Sequence, residues 1–170
     1  MREDRLLHLD PATGLYDRER FMAEVADLMS AQDPSLGALL LLIEPERLTR
    51  GQRPTLSVLR AVADVIRSTF RSSDIAGRLP EGRLVIALAD TGSLSPQSVI
   101  ARLYSALERY NSERDKRSRI AFTVAGRRLS NEQRALVQQS IDELQAEIAA
   151  GRAGAPASDP KSVPPPAKER

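Results

Sequence analysis

Cysteine is missing from the chain, and histidine occurs once, as His8 near the N-terminus. Without cysteine the chain forms no disulfide bond, thiolate zinc site or thiol nucleophile. One histidine so close to the terminus also argues against a histidine metal cluster or a Ser-His-Asp triad. Tryptophan is absent, and three tyrosines and three phenylalanines disfavour an aromatic platform for single-stranded nucleic acid. Any chemistry must therefore come from carboxylates, arginines or hydroxyl groups.

Long apolar runs and an excess of one charge are also lacking. The most apolar run, Leu36–Ile43, is far shorter than the ~20 residues of a membrane span, and the charged N-terminus does not resemble a signal peptide. Lys and Arg total 25 against 23 Asp and Glu, a balance that does not indicate nucleic-acid binding. We expect a cytoplasmic protein that contacts neither membrane nor nucleic acid.

Apolar periodicity divides the chain into alternating helices and strands. Helices are predicted over Asp17–Met29, Thr55–Phe70, from Pro96 to about Tyr110 and from Glu132 to about Ala150, and strands over Leu36–Ile43, Asp74–Leu79, Arg83–Ala89 and Arg119–Gly126. The order α-β-α-β-β-α-β-α predicts an α/β (α+β) fold with the split βαβ arrangement of a ferredoxin-like sheet and its helices on one side. Five prolines after residue 152 predict one domain over 1–152 and a disordered tail over 153–170.

Three segments carry a resemblance to a known family. They are Asp-Pro-Ala-Thr-Gly-Leu-Tyr-Asp-Arg at 10–18, Ile-Glu-Pro-Glu-Arg-Leu at 43–48 and Leu-Arg-Ala-Val-Ala at 59–63. Together they resemble the GGDEF domains, diguanylate cyclases that join two GTP molecules into cyclic di-GMP. The resemblance covers roughly residues 8–152 and implies a nucleotidyl-cyclase sheet with helices packed around it.

The signature turn departs from that family. Where G-G-D/E-E-F is expected, the chain reads Pro80, Glu81, Gly82, Arg83 and Leu84. In the family the glycines let the backbone lie close to the substrate, and the acidic pair positions metal and substrate. Proline lacks the N–H donor, and Arg83 places a positive charge in that pair, which repels Mg²⁺. The resemblance therefore implies a degenerate domain.

Other family positions have changed as well. The segment whose Asn and Asp read guanine is missing between Glu44 and the next helix, Ile148 stands where a Lys grips phosphate, and Ala153 replaces an Asn. Glu44 and Glu46 keep acidity at two Asp positions and are weak metal candidates. We therefore expect no catalytic residue and no cofactor, with Mg²⁺ needed only if cyclase activity persists.

One functional element resembles the family pattern closely. Arg71-Ser-Ser-Asp74 has the R-x-x-D form of the product-inhibition site, and Arg102 on the following helix stands where a second arginine is expected. The resemblance implies that these three residues bind cyclic di-GMP through charged hydrogen bonds. The alternative is structural, with Arg71 at a helix C-terminus and Asp74 in a turn.

Three functions stay open at this point. The first is an inactive regulatory domain in bacterial cyclic di-GMP signalling that receives the nucleotide at the R-x-x-D site. The second is a nucleotide-independent module for dimerisation or docking to a protein partner. The third is a cyclase with residual activity.

A basic cluster on a connecting loop is interpreted as a solvated loop, and it comprises Arg109, Arg114, Lys116, Arg117 and Arg119.

Overall fold

The computed structural model describes residues 8–31, 37–46, 53–90, 94–130 and 136–151. In these ranges the helices are α1 (Arg18–Ala31), α2 (Leu56–Thr69), α3 (Pro96–Ser112) and α4 (Val137–Ala149), and the strands are β1 (Gly37–Pro45), β2 (Ile75–Arg78), β3 (Leu84–Asp90) and β4 (Phe122–Ser130). Arg152, Ala153 and the expected tail lie outside the described residues. The domain boundary and the disorder of the tail therefore stay predictions.

The four strands form one antiparallel sheet in the order β2-β3-β1-β4. Leu40 of β1 is paired with Ala87 of β3 on one side and with Arg127 of β4 on the other. This order, with one helix crossing from β1 to β2 and another from β3 to β4, is the predicted ferredoxin-like arrangement. The fold class is confirmed.

Helices cover both faces of the sheet, so the expectation that they all lie on one side is wrong. The crossover helices α2 and α3 pack on the face that bears Leu39, Leu41 and Ile43 of β1. Helices α1 and α4 pack on the opposite face, against Leu40 and Leu42. Successive side chains of a strand point to opposite faces, and a strand that is apolar at every position needs cover on both.

The helix boundaries follow from side-chain caps. Asp17 accepts a hydrogen bond from the backbone N–H of Arg20 (2.8 Å), and Thr55 and Ser95 cap α2 and α3 in the same way. At the other end of the chain, Ala150 caps α4, and Gly151 after it adopts a φ of +69°, as expected of a residue that ends a helix. No helix in the described ranges is long and apolar enough to cross a membrane.

The segment 8–17 folds back on the exposed edge of β2. The N–H of Tyr16 donates to the carbonyl of Ala76 (3.1 Å), and the N–H of Arg78 donates to the carbonyl of Tyr16 (2.8 Å). Gly14 turns the chain there with a φ of +71°, a conformation that favours glycine. The segment therefore extends the sheet edge, and it also contacts α2, because Arg60 donates to the carbonyl of Ala12 and Arg67 to that of Thr13.

Candidate functional site

The signature turn between β2 and β3 is a tight loop over Pro80–Gly82. The N–H of Leu79 donates to the carbonyl of Arg83 (2.8 Å), and Glu81 and Gly82 have φ angles of 65° and 80°. A Cβ atom added to Gly82 would lie 2.9 Å from Cδ of Pro54. The space beside this glycine is thus filled by the chain itself.

Arg83 lies between two carboxylates. Its Nη1 is 2.8 Å from Oε2 of Glu81, and its Nε is 3.5 Å from Oε2 of Glu44. The side chains of Arg83 and Glu44 are only 20% and 23% exposed, whereas that of Glu81 is 54% exposed. The guanidinium group therefore acts as the counter-ion of a half-buried carboxylate at the end of β1.

A groove of about 400 Å³ begins at the same end of β1 and is lined by Glu44, Glu46 and Ile148 among others. The structure brings these three positions to one groove, but their chemistry does not fit a magnesium nucleotide. Glu44 is paired with Arg83, and Ile148 offers no charge to a phosphate. Within the described ranges no three His, Cys, Asp or Glu side chains are placed to hold a metal ion.

The R-x-x-D segment forms the turn between α2 and β2. Oδ2 of Asp74 accepts a hydrogen bond from the N–H of Arg71 (2.8 Å), and the N–H of Asp74 donates to the carbonyl of Arg71 (3.0 Å). One carboxylate oxygen thus has the structural role of closing the turn. The Arg71 side chain is exposed and has no ion pair or hydrogen bond with the described part of the chain.

Arg71 and Asp74 line one open cavity of about 420 Å³. Its opposite wall is the N-terminal segment, which contributes Leu15 and Tyr16. Arg67 is a further lining residue, and its Nη1 donates to the carbonyl of Thr13 (2.6 Å). Sequence reasoning missed Tyr16, because only the folding back of residues 8–17 brings it to this cavity. It also missed Arg67, although this residue lies on α2 only four positions before Arg71, a spacing that could have pointed to it.

Arg102 does not line this cavity. Its Nη2 donates to the carbonyl of Thr69, near the C-terminal end of α2, at 3.0 Å. This contact places Arg102 beside Thr69, the last residue of α2, which is two positions before Arg71 in the chain. The structure therefore brings Arg71 and Asp74 onto one wall and leaves Arg102 beside it, bound to backbone.

The N-terminal wall is held by a small polar network around Asp10. Oδ2 of Asp10 accepts from the hydroxyl of Thr13 (2.7 Å), and its Oδ1 is 2.9 Å from Nη1 of Arg78. Burial alone would raise the pKa of Asp10, but the hydrogen bonds from Thr13 and Arg78 outweigh burial and lower it. The ionised carboxylate therefore ties the wall of the cavity to β2.

The chain matches the family model described as diguanylate cyclase, GGDEF domain, over residues 7–153. It belongs to the GGDEF family. The resemblance read from the sequence is thereby confirmed for the family. Among curated proteins no sequence matches this GGDEF domain significantly.

Solved GGDEF structures confirm the fold. The GGDEF domain of TpbB (YfiN) from Pseudomonas aeruginosa has a TM-score of 0.67 at 18% identity, over 86% of this chain and 91% of that one. The coiled coil and GGDEF domain of DgcB from Caulobacter crescentus, in complex with cyclic di-GMP, has a TM-score of 0.59 at 20% identity, over 89% and 85%. SiaD from Pseudomonas aeruginosa, in complex with its activator SiaC, has a TM-score of 0.63 at 18% identity, over 89% and 62%.

Proposed function

We propose that this GGDEF domain is a regulatory member of cyclic di-GMP signalling that has no cyclase activity and binds cyclic di-GMP at Arg71 and Asp74. One observation carries the proposal. The Arg71 guanidinium makes no hydrogen bond or ion pair with the described residues and lines an open cavity that Asp74 lines too. Solved relatives in complex with cyclic di-GMP, such as the GGDEF domain of DgcB, support the choice of ligand.

The chemistry of the cavity suits a guanine dinucleotide. A guanidinium group forms two parallel hydrogen bonds with a phosphate or with the acceptor edge of guanine. The second oxygen of Asp74, Oδ1, accepts no hydrogen bond from the described residues, so it can accept the N–H donors of guanine. Tyr16 and Phe70 add flat apolar surface to the cavity. The volume of about 420 Å³ is within the usual range of ligand sites.

The proposed loss of cyclase activity rests on the turn and the end of β1. Condensing two nucleotides needs carboxylates that are free to bind metal, whereas Glu44 and Glu81 are both paired with Arg83. At the turn, Pro80 and Glu81 replace the two signature glycines, and Pro54 occupies the space beside Gly82. Each feature opposes binding of magnesium GTP, and together they support an inactive domain.

Isothermal titration with cyclic di-GMP tests the receptor half of the proposal. We expect the wild-type chain to bind, Arg71→Ala to bind at least tenfold more weakly, and Asp74→Asn to bind more weakly while it keeps an acceptor for the turn. Arg109→Ala is the matched control, because this exposed arginine of α3 does not line the cavity. Absence of heat at high micromolar ligand, or equal losses in Arg71→Ala and Arg109→Ala, would overturn the site.

The cyclase half is tested separately. Purified protein is incubated with GTP and Mg²⁺ or Mn²⁺, and the products are separated by chromatography. We expect GTP to remain unchanged. Formation of cyclic di-GMP would show that the unusual turn still supports the reaction, and the proposal of an inactive domain would then be wrong.

A protein partner is the second candidate function. The structure of SiaD with its activator SiaC shows one GGDEF relative bound to another protein. A pull-down that recovers one partner equally from wild type and Arg71→Ala, with and without cyclic di-GMP, would favour this function. Homodimerisation would appear as a concentration-dependent mass in light scattering. The cytoplasmic location expected from the sequence stays a prediction.

A further inference from the structure

A second groove, of about 380 Å³, lies between the first half of α2 and the connection from α3 to β4. Four arginines line it, namely Arg60 of α2 and Arg114, Arg117 and Arg119 of the connection. Asp64 is the one carboxylate among the lining residues, and it is paired with Arg67 at 2.9 Å. The groove shares no lining residue with the cavity of Arg71.

The chain orients these arginines without neutralising them. The guanidinium of Arg114 lies 3.4 Å from the ring centroid of Tyr110, and its Nη1 donates to the carbonyl of Tyr110 (2.7 Å). Nε of Arg60 donates to the carbonyl of Ala12 (3.2 Å), and Nε of Arg119 donates to the carbonyl of Arg114 (3.4 Å). Each of these three side chains donates one N–H to a backbone carbonyl, and Arg114 also lies over the Tyr110 ring. The remaining N–H donors of each guanidinium group stay available to a ligand.

None of the four arginines forms an ion pair with a carboxylate in the described ranges. Arg117 also makes no hydrogen bond there through its side chain, which is exposed. Like charges gathered in one groove repel one another, and a bound anion relieves that repulsion. Guanidinium forks match the tetrahedral oxygens of phosphate, and the hydroxyls of Ser57 and Ser118 line the same groove as further donors.

We propose that this arginine groove binds the diphosphate or triphosphate group of a small phosphorylated ligand. Four arginines and a single, already paired carboxylate line the groove, a balance that matches a group carrying three or four negative charges. The volume of the groove is at the low end of the range for small-molecule sites, which favours a compact phosphate chain over a nucleic acid. The proposal does not depend on the cyclic di-GMP site, because the two sets of lining residues are separate.

Isothermal titration of the full chain with inorganic tripolyphosphate tests the proposal. We expect saturable binding that weakens as salt rises, because phosphate contacts are electrostatic. Arg117→Ala is expected to weaken binding at least tenfold. Because the Arg117 side chain is exposed, we expect the variant to fold like the wild type. Lys116→Ala is the matched control, since it removes the same charge one residue away but does not line the groove, and we expect less than a twofold change.

Titrations with other ligands show whether the groove recognises a whole nucleotide or only its phosphate chain. Tighter binding of GTP or ATP than of tripolyphosphate would assign the groove to a nucleotide, and equal binding would assign it to the phosphate chain alone. Arg71→Ala should leave tripolyphosphate binding unchanged. The proposal is overturned by the absence of binding at millimolar tripolyphosphate, by equal losses in Arg117→Ala and Lys116→Ala, by equal binding of citrate, or by tighter binding of a short single-stranded DNA or RNA.

Discussion

Replacing Arg83 by methionine removes the cation that lies between the end of β1 and the signature turn. Methionine keeps most of the apolar stem and deletes the guanidinium group, so the main change is the loss of charge. Glu44 then keeps its negative charge at 23% exposure without the partner that now lies 3.5 Å away. Because a half-buried charge is poorly solvated, we expect the free energy of unfolding to fall.

The size of the effect follows from distance and exposure. At 3.5 Å and an effective dielectric constant of about 20, the Coulomb attraction between Arg83 and Glu44 is about 4 to 5 kcal/mol. Desolvation of the two charges offsets most of this attraction, and we expect a coupling energy of about 1 to 2 kcal/mol. The second partner, Glu81, is 54% exposed and adds at most about 1 kcal/mol.

A double-mutant cycle in urea measures this coupling. Unfolding is followed by circular dichroism for wild type, Arg83→Met, Glu44→Gln and the double variant. The control cycle is Arg67→Met with Asp64→Asn, a pair at 2.9 Å whose side chains are 50% and 62% exposed. For the control we expect about 0.5 kcal/mol or less. A coupling between Arg83 and Glu44 no larger than that of the control would refute the role of Arg83 as a counter-ion.

Three further substitutions test the packing and the polar network, each by urea unfolding. In Gly77→Ala the new Cβ would lie 2.8 Å from Cβ of the buried Phe21, so we expect a loss of about 1 to 3 kcal/mol, and an unchanged midpoint would contradict this contact. Leu41→Ala empties a fully buried position of the central strand and should cost about 3 kcal/mol or more, and a cost under about 1 kcal/mol would contradict its burial. Asp10→Asn should cost about 1 to 2 kcal/mol at pH 7, because the ionised carboxylate bonds to Arg78. The pKa of Asp10 is lowered in the folded state, so its contribution is present above the ordinary value of 3.8 and is lost as the pH falls through the folded value. The difference between Asp10→Asn and wild type should therefore shrink in acid, and a constant difference from pH 7 to pH 3 would contradict the role of the charge.

Helix α2 shows how well local patterns predict an element. The sequence predicts a helix over Thr55–Phe70, and the structure has Leu56–Thr69 with Thr55 as its cap. Both the apolar stripe and the capping hydroxyl are properties of neighbouring residues, so no tertiary information is needed to find them.

Strand β4 shows where local patterns fail. The sequence predicts a start at Arg119, but the strand begins at Phe122. The side-chain amide of Asn111 bonds to both the N–H and the carbonyl of Ile120, at 3.0 and 2.8 Å, in place of a neighbouring strand. This contact joins residues nine positions apart through a side chain, and no periodicity reveals it.

Some features of the candidate site can be predicted from the sequence, and others cannot. The R-x-x-D spacing and the altered turn are visible in the sequence, and they support the proposed receptor. The contact of Arg83 with Glu44 is not visible, because 39 positions separate the two residues. Sequence reasoning expected Arg83 only to repel a metal ion, whereas the structure also makes it the partner of a carboxylate.

The order of helices and strands, the family and the positions at which the family signature is lost could all be read from short stretches of sequence, because they depend on residues that are neighbours in the chain. The meeting of Arg60 with Arg114, Arg117 and Arg119 in one groove could not. Whether a charge is paired or left open to a ligand depends on distances between remote residues, and those distances exist only once the sheet and its two helical layers have assembled.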